Sequence, residues 1–290
     1  LSPVFDPENR NPDWRTSGIA YDAAYGTEIP GRGWTYVESG GRHRVEMKAR
    51  NFIGIARGRN NYLAGFTELA YPEARKWLLG MAEQAIAFGV DGIDVRVTTH
   101  TESLDWENYG FGKPVVDEFK RRHGVDIANG EKFDRAAWRK LRGEYFTNFL
   151  GEIGERLRSR GKKLCVQLRD DQHRSAEEIC YMEVFWDWQR WVRERMVDMV
   201  HLTKFYTNWD LFPRSAQLCR ENDIELMYTA GISGRDEDWQ RDGPIILERC
   251  KQNHIEILNF YETGGFVRLE ENGLAYHMPS LWKDVREHSK

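Results

Sequence analysis

Gly89-Val90-Asp91-Gly92-Ile93-Asp94-Val95-Arg96-Val97-Thr98-Thr99-His100 is the stretch on which the reading of the fold turns. It follows an amphipathic helical run and passes into alternating apolar and charged residues. Read as a strand, it sends Ile93, Val95 and Val97 to one face and Asp94 and Arg96 to the other. A lone buried ion costs on the order of several kcal/mol, so the two charges must pair, solvate or line a cavity. The inner face of a parallel α/β barrel, near the C-terminal end of a strand, offers such a place, and active sites sit there.

Working outward, Pro72 suits a first helical turn, and Trp77, Leu78, Met81, Ala85 and Ile86 form an apolar stripe that ends at Gly89. Beyond the strand, Pro114 opens a helix that stops at Gly124. Asp134 can cap a long helix carrying Trp138, Leu141, Tyr145, Phe149, Ile153 and Leu157, up to Gly161. Helices are also expected over Asp187 to Met196, over Pro213 to Arg220 and from Pro244 onward, with Leu281, Trp282 and Val285 docking as a last one. Strands are expected at 92–97, 163–168, 200–206, 224–229 and 255–261, adjacent in that order.

Helix and strand alternate, which is a parallel α/β design. Five strands fall short of eight, so the fold class expected is an incomplete (β/α)8 TIM barrel. It consists of the C-terminal five βα units (71–290) after an irregular region (1–70), with 1–290 as a single domain. An exposed apolar edge is expected ahead of Ile93, where further strands would pair. In the irregular region, Thr35 to Ser39 and Arg42 to Met47 flank Gly40-Gly41 and read as a hairpin.

Composition narrows the function. The chain has 290 residues, 40% apolar, 30% charged and 13% aromatic, which suits a globular enzyme. Its net charge is −4, so no global basic field favours nucleic acid. No segment approaches the roughly 20 apolar residues of a membrane span. Cys165, Cys180, Cys219 and Cys250 are too scattered for a C-x-x-C pair and read as buried thiols. The sequence opens at Leu1 with no signal-like apolar run and reads as cut from a longer chain.

The expected strand ends gather several carboxylates and aromatics. Asp94, Arg96, His100 and Glu102 follow the first, and Gln167 ends the second. Lys204 and Tyr206 end the third, Trp239 follows the fourth, and Glu262 ends the last. Such a mixture suits glycoside hydrolysis, where one carboxyl protonates the leaving oxygen and another stabilises or attacks the oxocarbenium-like centre. Asp94 and Glu262 are the leading catalytic carboxylates, and a carboxyl separation of ~5–10 Å is expected between them. Arg96, His100, Glu102, Gln167, Lys204, Tyr206 and Trp239 are the expected substrate contacts. The plainer alternative for Asp94 and Arg96 is a structural ion pair. No H-E-x-x-H, G-x-G-x-x-G, P-loop or G-x-S-x-G occurs, so neither a metal nor any cofactor is expected.

Ala70-Tyr71-Pro72-Glu73-Ala74-Arg75, followed by a helix and Phe88-Gly89-Val90-Asp91-Gly92-Ile93, resembles the family-10-like glycosylhydrolases. There a Pro-x-x-Arg helix leads into a Y-x-V-D-G-I strand. Phe119-Lys120-Arg121-Arg122-His123-Gly124 is similar to their F-x-x-x-Y-G segment, with His123 in place of Tyr. The resemblance covers roughly residues 66 to 168. It implies a TIM barrel, a complex carbohydrate substrate and often export to the periplasm or medium. The family commonly carries an acid two residues after the position of Asp94, where this chain has Arg96. Two rival readings are a non-catalytic glycan-binding barrel and a lyase or aldolase using Lys204 as base or Schiff-base former.

Overall fold

A computed structural model describes residues 28–29, 33–37, 44–46, 53–55, 62–67, 69–96, 110–129, 132–169, 173–175, 178–181, 183–203, 211–230, 235–255, 257–260, 267–270, 273–276 and 278–288. The chain divides into two compact units, residues 1–164 with 177–187, and residues 165–176 with 188–290. The sequence reading had taken 1–290 as one domain.

In chain order the first strands are β1 (Glu28–Ile29), β2 (Gly33–Val37), β3 (Arg44–Glu46), β4 (Ile53–Ile55) and β5 (Tyr62–Thr67). β2 and β3 pair antiparallel, with Tyr36 opposite Val45, as the expected hairpin requires, and Gly40-Gly41 lie outside the described residues. None of these five joins the main parallel sheet. Next come α1 (Pro72–Ala87), β6 (Gly92–Val95), α2 (Lys113–His123), α3 (Arg135–Arg158) and β7 (Lys163–Arg169).

Local chemistry explains the ends of these helices. Pro72 sits in the first turn of α1, where its missing N–H costs nothing. Asp134 caps α3, accepting from the N–H of Ala136 at 2.8 Å and of Ala137 at 3.1 Å. Gly124 closes α2 at φ 73°, in the left-handed region that glycine enters without steric cost. The buried face of α1 differs from the stripe expected. Ala74, Leu78, Leu79 and Ala82 are inside, whereas Met81 is 36% exposed.

The first unit's core joins Phe111, Val115, Phe119, Ile127, Trp138 and Leu141. Phe111 stacks on Trp138 with centroids 5.0 Å apart. α3 buries a broad face that includes Arg139 and Arg142, and leaves Ala136, Lys140, Glu144 and Asn148 as an exposed stripe. Three short strands not expected from the sequence are β8 (His173–Ser175), β9 (Glu178–Tyr181) and β10 (Val184–Trp186), and β10 packs against α3. They form a separate sheet, with β9 and β10 antiparallel. β10 runs so close to α3 that a Cβ on Gly143 would lie 2.1 Å from the Phe185 carbonyl oxygen.

The second unit continues with α4 (Trp188–Arg193), β11 (Met199–Thr203), α5 (Leu211–Glu221), β12 (Glu225–Ala230), α6 (Asp236–Gln252) and β13 (Ile257–Phe260). A hairpin of β14 (Val267–Glu270) and β15 (Gly273–Tyr276) and the helix α7 (Pro279–His288) complete it. The sequence reading had missed this hairpin. The sheet order is β13-β12-β11-β7-β6, the sequential order expected. The pairs β7–β11, β11–β12 and β12–β13 are parallel. Among the described strands β6 ends this sheet, but its apolar side chains are not exposed: Ile93 and Val95 are 6% and 0% accessible.

One helix starts earlier than expected. α6 begins at Asp236, and Pro244 lies inside it. Asp236, Glu237 and Asp238 fill the first turn, where carboxylates favour the helix dipole. A proline there forfeits one hydrogen bond within the helix. Gly243 precedes it, and a Cβ on Gly243 would lie 2.6 Å from the Trp239 ring.

Candidate functional site on the parallel sheet

The strand registers sort the second unit's side chains onto two faces. Thr203 lies opposite Thr229, and Thr229 opposite Asn259, so these three share a row. One row toward the strand N-termini, Gln167, His201, Met227 and Ile257 lie side by side. Alternation puts Val166, Leu168, Val200, Leu202, Leu226, Tyr228, Leu258 and Phe260 on the reverse face. That reverse face meets the helices. Phe212 of α5 packs edge-on against Tyr228 at 5.3 Å, and Trp239 of α6 against Phe260 at 5.7 Å.

The face away from the helices therefore carries the polar side chains, and four of them are deeply buried. Gln167, His201, Thr203 and Thr229 are 5%, 4%, 5% and 7% accessible. Buried polar groups persist where they are hydrogen-bonded. His201 Nε2 meets Thr229 Oγ1 across neighbouring strands. Asn259 Nδ2 donates to the same Thr229 oxygen at 3.0 Å. Thr229 thus ties a buried imidazole to the half-buried Asn259 amide near the C-terminal end of β13. Ligands of parallel α/β sheets bind outside such strand ends.

Gln167, an expected contact, lies on this face beside His201. His201, Thr203 and Thr229 were not anticipated, although Met199-Val200-His201-Leu202-Thr203 does alternate. Trp239 was expected at a ligand mouth and lies instead in the core. It is 1% accessible, clusters with Met278 and Leu281, and donates its indole N–H to Asp284 Oδ2 at 2.9 Å. With α6 starting at Asp236, this residue falls on the helix's packed side rather than in a loop.

In the first unit, β6 follows the alternation expected of it. Ile93 and Val95 are buried, and Asp94 and Arg96 are half-buried. Oδ1 of Asp94 and Nε of Arg96 are shielded from solvent. His100, Glu102, Lys204, Tyr206 and Glu262, and Val97 with them, lie outside the described residues.

Three of the four cysteines have described side chains, and these are poorly suited to nucleophilic chemistry. Cys165, Cys219 and Cys250 are buried and form no disulfide. Burial pushes the Cys219 thiol up to about 12 and that of Cys250 up to about 11, so neither supplies a thiolate near neutrality. Among the described residues no three His, Cys, Asp or Glu side chains gather to hold a metal ion. No described helix is long and apolar enough to cross a membrane.

Compared with family models, the chain matches none. No curated protein matches it either. Among solved structures it is similar to a chain of the tryptophan synthase α2β2 complex of the hyperthermophile Pyrococcus furiosus. Identity is 13%, the match covers 64% of this chain and 81% of that one, and the TM-score is 0.25. A likeness at that score carries no argument, so the parallel α/β assignment stands on the strand pairings themselves.

Proposed function

We propose that this chain is a barrel-type α/β enzyme that cleaves glycosidic bonds of a complex carbohydrate by carboxylate acid/base chemistry. The observation that supports this reading best is the alternation on β6. Ile93 and Val95 are buried while Asp94 and Arg96, on the opposite face, stay half-buried at the strand's C-terminal end. A carboxylate and a guanidinium side by side at a strand's C-terminal end suit an enzyme that develops charge on a sugar ring. In this reading Asp94 is the leading carboxylate and Arg96 orients it or binds an acidic sugar. Gln167 contacts hydroxyls. Glu262 is the second carboxylate, with His100, Glu102, Lys204 and Tyr206 as further contacts, all on the strength of their places in the sequence. Trp239 no longer belongs among them.

The test is turnover of a polysaccharide panel by the intact protein and by its Asp94→Asn and Glu262→Gln variants. Asp94→Asn is expected to abolish turnover and to leave the thermal unfolding midpoint nearly unchanged. A variant that unfolds, with normal turnover by the fraction still folded, would make Asp94 and Arg96 a structural pair.

A further inference from the structure

The hydrogen-bonded trio His201, Thr229 and Asn259 has no place in carboxylate chemistry, yet it occupies the face of the sheet turned away from the helices. A sheet core is ordinarily filled by branched apolar side chains, and in barrels such residues dominate the interior. Here two adjacent rows carry Gln167, His201, Thr203, Thr229 and Asn259, alongside Met227 and Ile257, with Arg169 opposite Thr203. The donors and acceptors described on them are amides, hydroxyls and one imidazole. Groups of this kind match a ligand rich in hydroxyl groups, which both donates and accepts.

The hydrogen bonds also fix which atoms are offered. Asn259 commits Nδ2 to Thr229 Oγ1 at 3.0 Å, and Thr229 is itself held by His201 Nε2. The amide's orientation is thereby set from below, which aims Oδ1 as an acceptor. Among the described residues no partner takes Oδ1, and Asn259 is half-buried at the strand end while His201 is 4% accessible. A preorganised acceptor at the accessible end of a buried relay is how binding sites hold a polar group in register.

We propose that Asn259 is a specificity-determining residue that accepts a hydrogen bond from a sugar hydroxyl, and that Thr229 and His201 are positioning residues which hold its amide. This rests on the carbohydrate reading above and adds a subsite to it.

The experiment measures binding by calorimetry and turnover, using the intact protein and neutral oligosaccharides of glucose, xylose and N-acetylglucosamine. Asn259→Ala is expected to weaken binding by about tenfold, the loss of one neutral hydrogen bond, and to raise KM more than it lowers kcat. Thr229→Val, which keeps the shape and removes the hydroxyl, should shift binding in the same direction, and Thr229→Ser should restore it. His201→Asn serves as a second variant should Thr229→Val unfold. A wild-type chain that binds none of these sugars overturns the proposal, as does Asn259→Ala with unchanged affinity. The two readings separate cleanly. Sugar binding that depends on Asn259 without turnover sinks the hydrolase and keeps the subsite. Turnover that depends on Asp94 but not on Asn259 sinks the subsite and keeps the hydrolase.

Discussion

Trp239 donates its indole N–H to Oδ2 of Asp284 at 2.9 Å, joining the first turn of α6 to α7. A second tie runs beside it, because Asp236 accepts from the Ser280 N–H at 2.9 Å and from its hydroxyl at 2.8 Å. Burial by itself would raise the Asp236 carboxyl, but the bonds from Ser280 and Gln240 outweigh it and hold the group below its ordinary range. Trp239→Phe keeps the ring packing on Phe260 and removes the donor to Asp284. Chemical denaturation should show a loss of about 1.5–3 kcal/mol, as for a bond to a charged acceptor. Sugar binding should be unaffected. Weakened binding at unchanged stability would return Trp239 to the site.

The same residue shows where the sequence was legible and where it was not. Pro72, Asp134 and Gly124 mark helix ends by chemistry confined to one or two turns, and all three hold. The alternation from Ile93 to Arg96 is local as well. Pro244 misled because proline favours a first turn only statistically, whereas the acidic run Asp236-Glu237-Asp238 was the stronger signal. That one misplacement turned Trp239 into a loop aromatic. His201 and Thr229 stand 28 residues apart. Only the parallel register brings them together, and no spacing rule in one sequence encodes it. The strands β8 to β10 are short and pair among themselves, so they leave no long periodic trace.

Two helical glycines should respond oppositely to alanine. At Gly143 the new Cβ would meet the Phe185 carbonyl oxygen at 2.1 Å, so β10 or α3 must shift. A loss of about 1–3 kcal/mol is expected, the usual range for overpacking. At Gly80, in the middle of α1 and exposed, nothing lies within 4 Å of a Cβ. There Gly80→Ala should stabilise by about 0.5–1 kcal/mol through helix propensity. Urea midpoints of the two variants measure both. Equal effects would mean that α3 and β10 do not approach closely.

Glu118 should titrate unusually low. Hydrogen bonds from Arg121, at 2.7 and 2.6 Å, and from Arg122, at 2.7 Å, bring its carboxyl down to about 2. A depressed folded-state value means that the contribution is present above the unfolded carboxylate pKa and fades as pH falls toward 2. The carboxyl carbon of Glu118, followed by NMR, should show its midpoint near that value. Arg121→Gln should move the midpoint up toward the ordinary range. A wild-type midpoint already in that range would mean that the arginines do not hold the carboxylate in solution.

Arg139 and Glu183 test how the start of β10 is pinned to α3. Arg139 Nε donates to Glu183 Oε2 at 2.6 Å, with the two side chains only 11% and 12% accessible. Arg142 Nη1 donates to the Glu183 carbonyl at 2.9 Å, so this residue is held through both side chain and backbone. Glu183 also adopts φ 56°, which a side chain rarely occupies. Removing one partner of a buried pair strands the other charge and typically costs about 3–5 kcal/mol. Glu183→Ala should lose that much. Glu183→Gly loses the same carboxylate but relieves the left-handed backbone, so it should be less destabilised than Glu183→Ala by about 1 kcal/mol. Adding Arg139→Met to Glu183→Gly removes the stranded cation and should recover most of the loss. If the double variant is no more stable than Glu183→Gly alone, the cost lies in the backbone at Glu183 rather than in a buried unpaired charge.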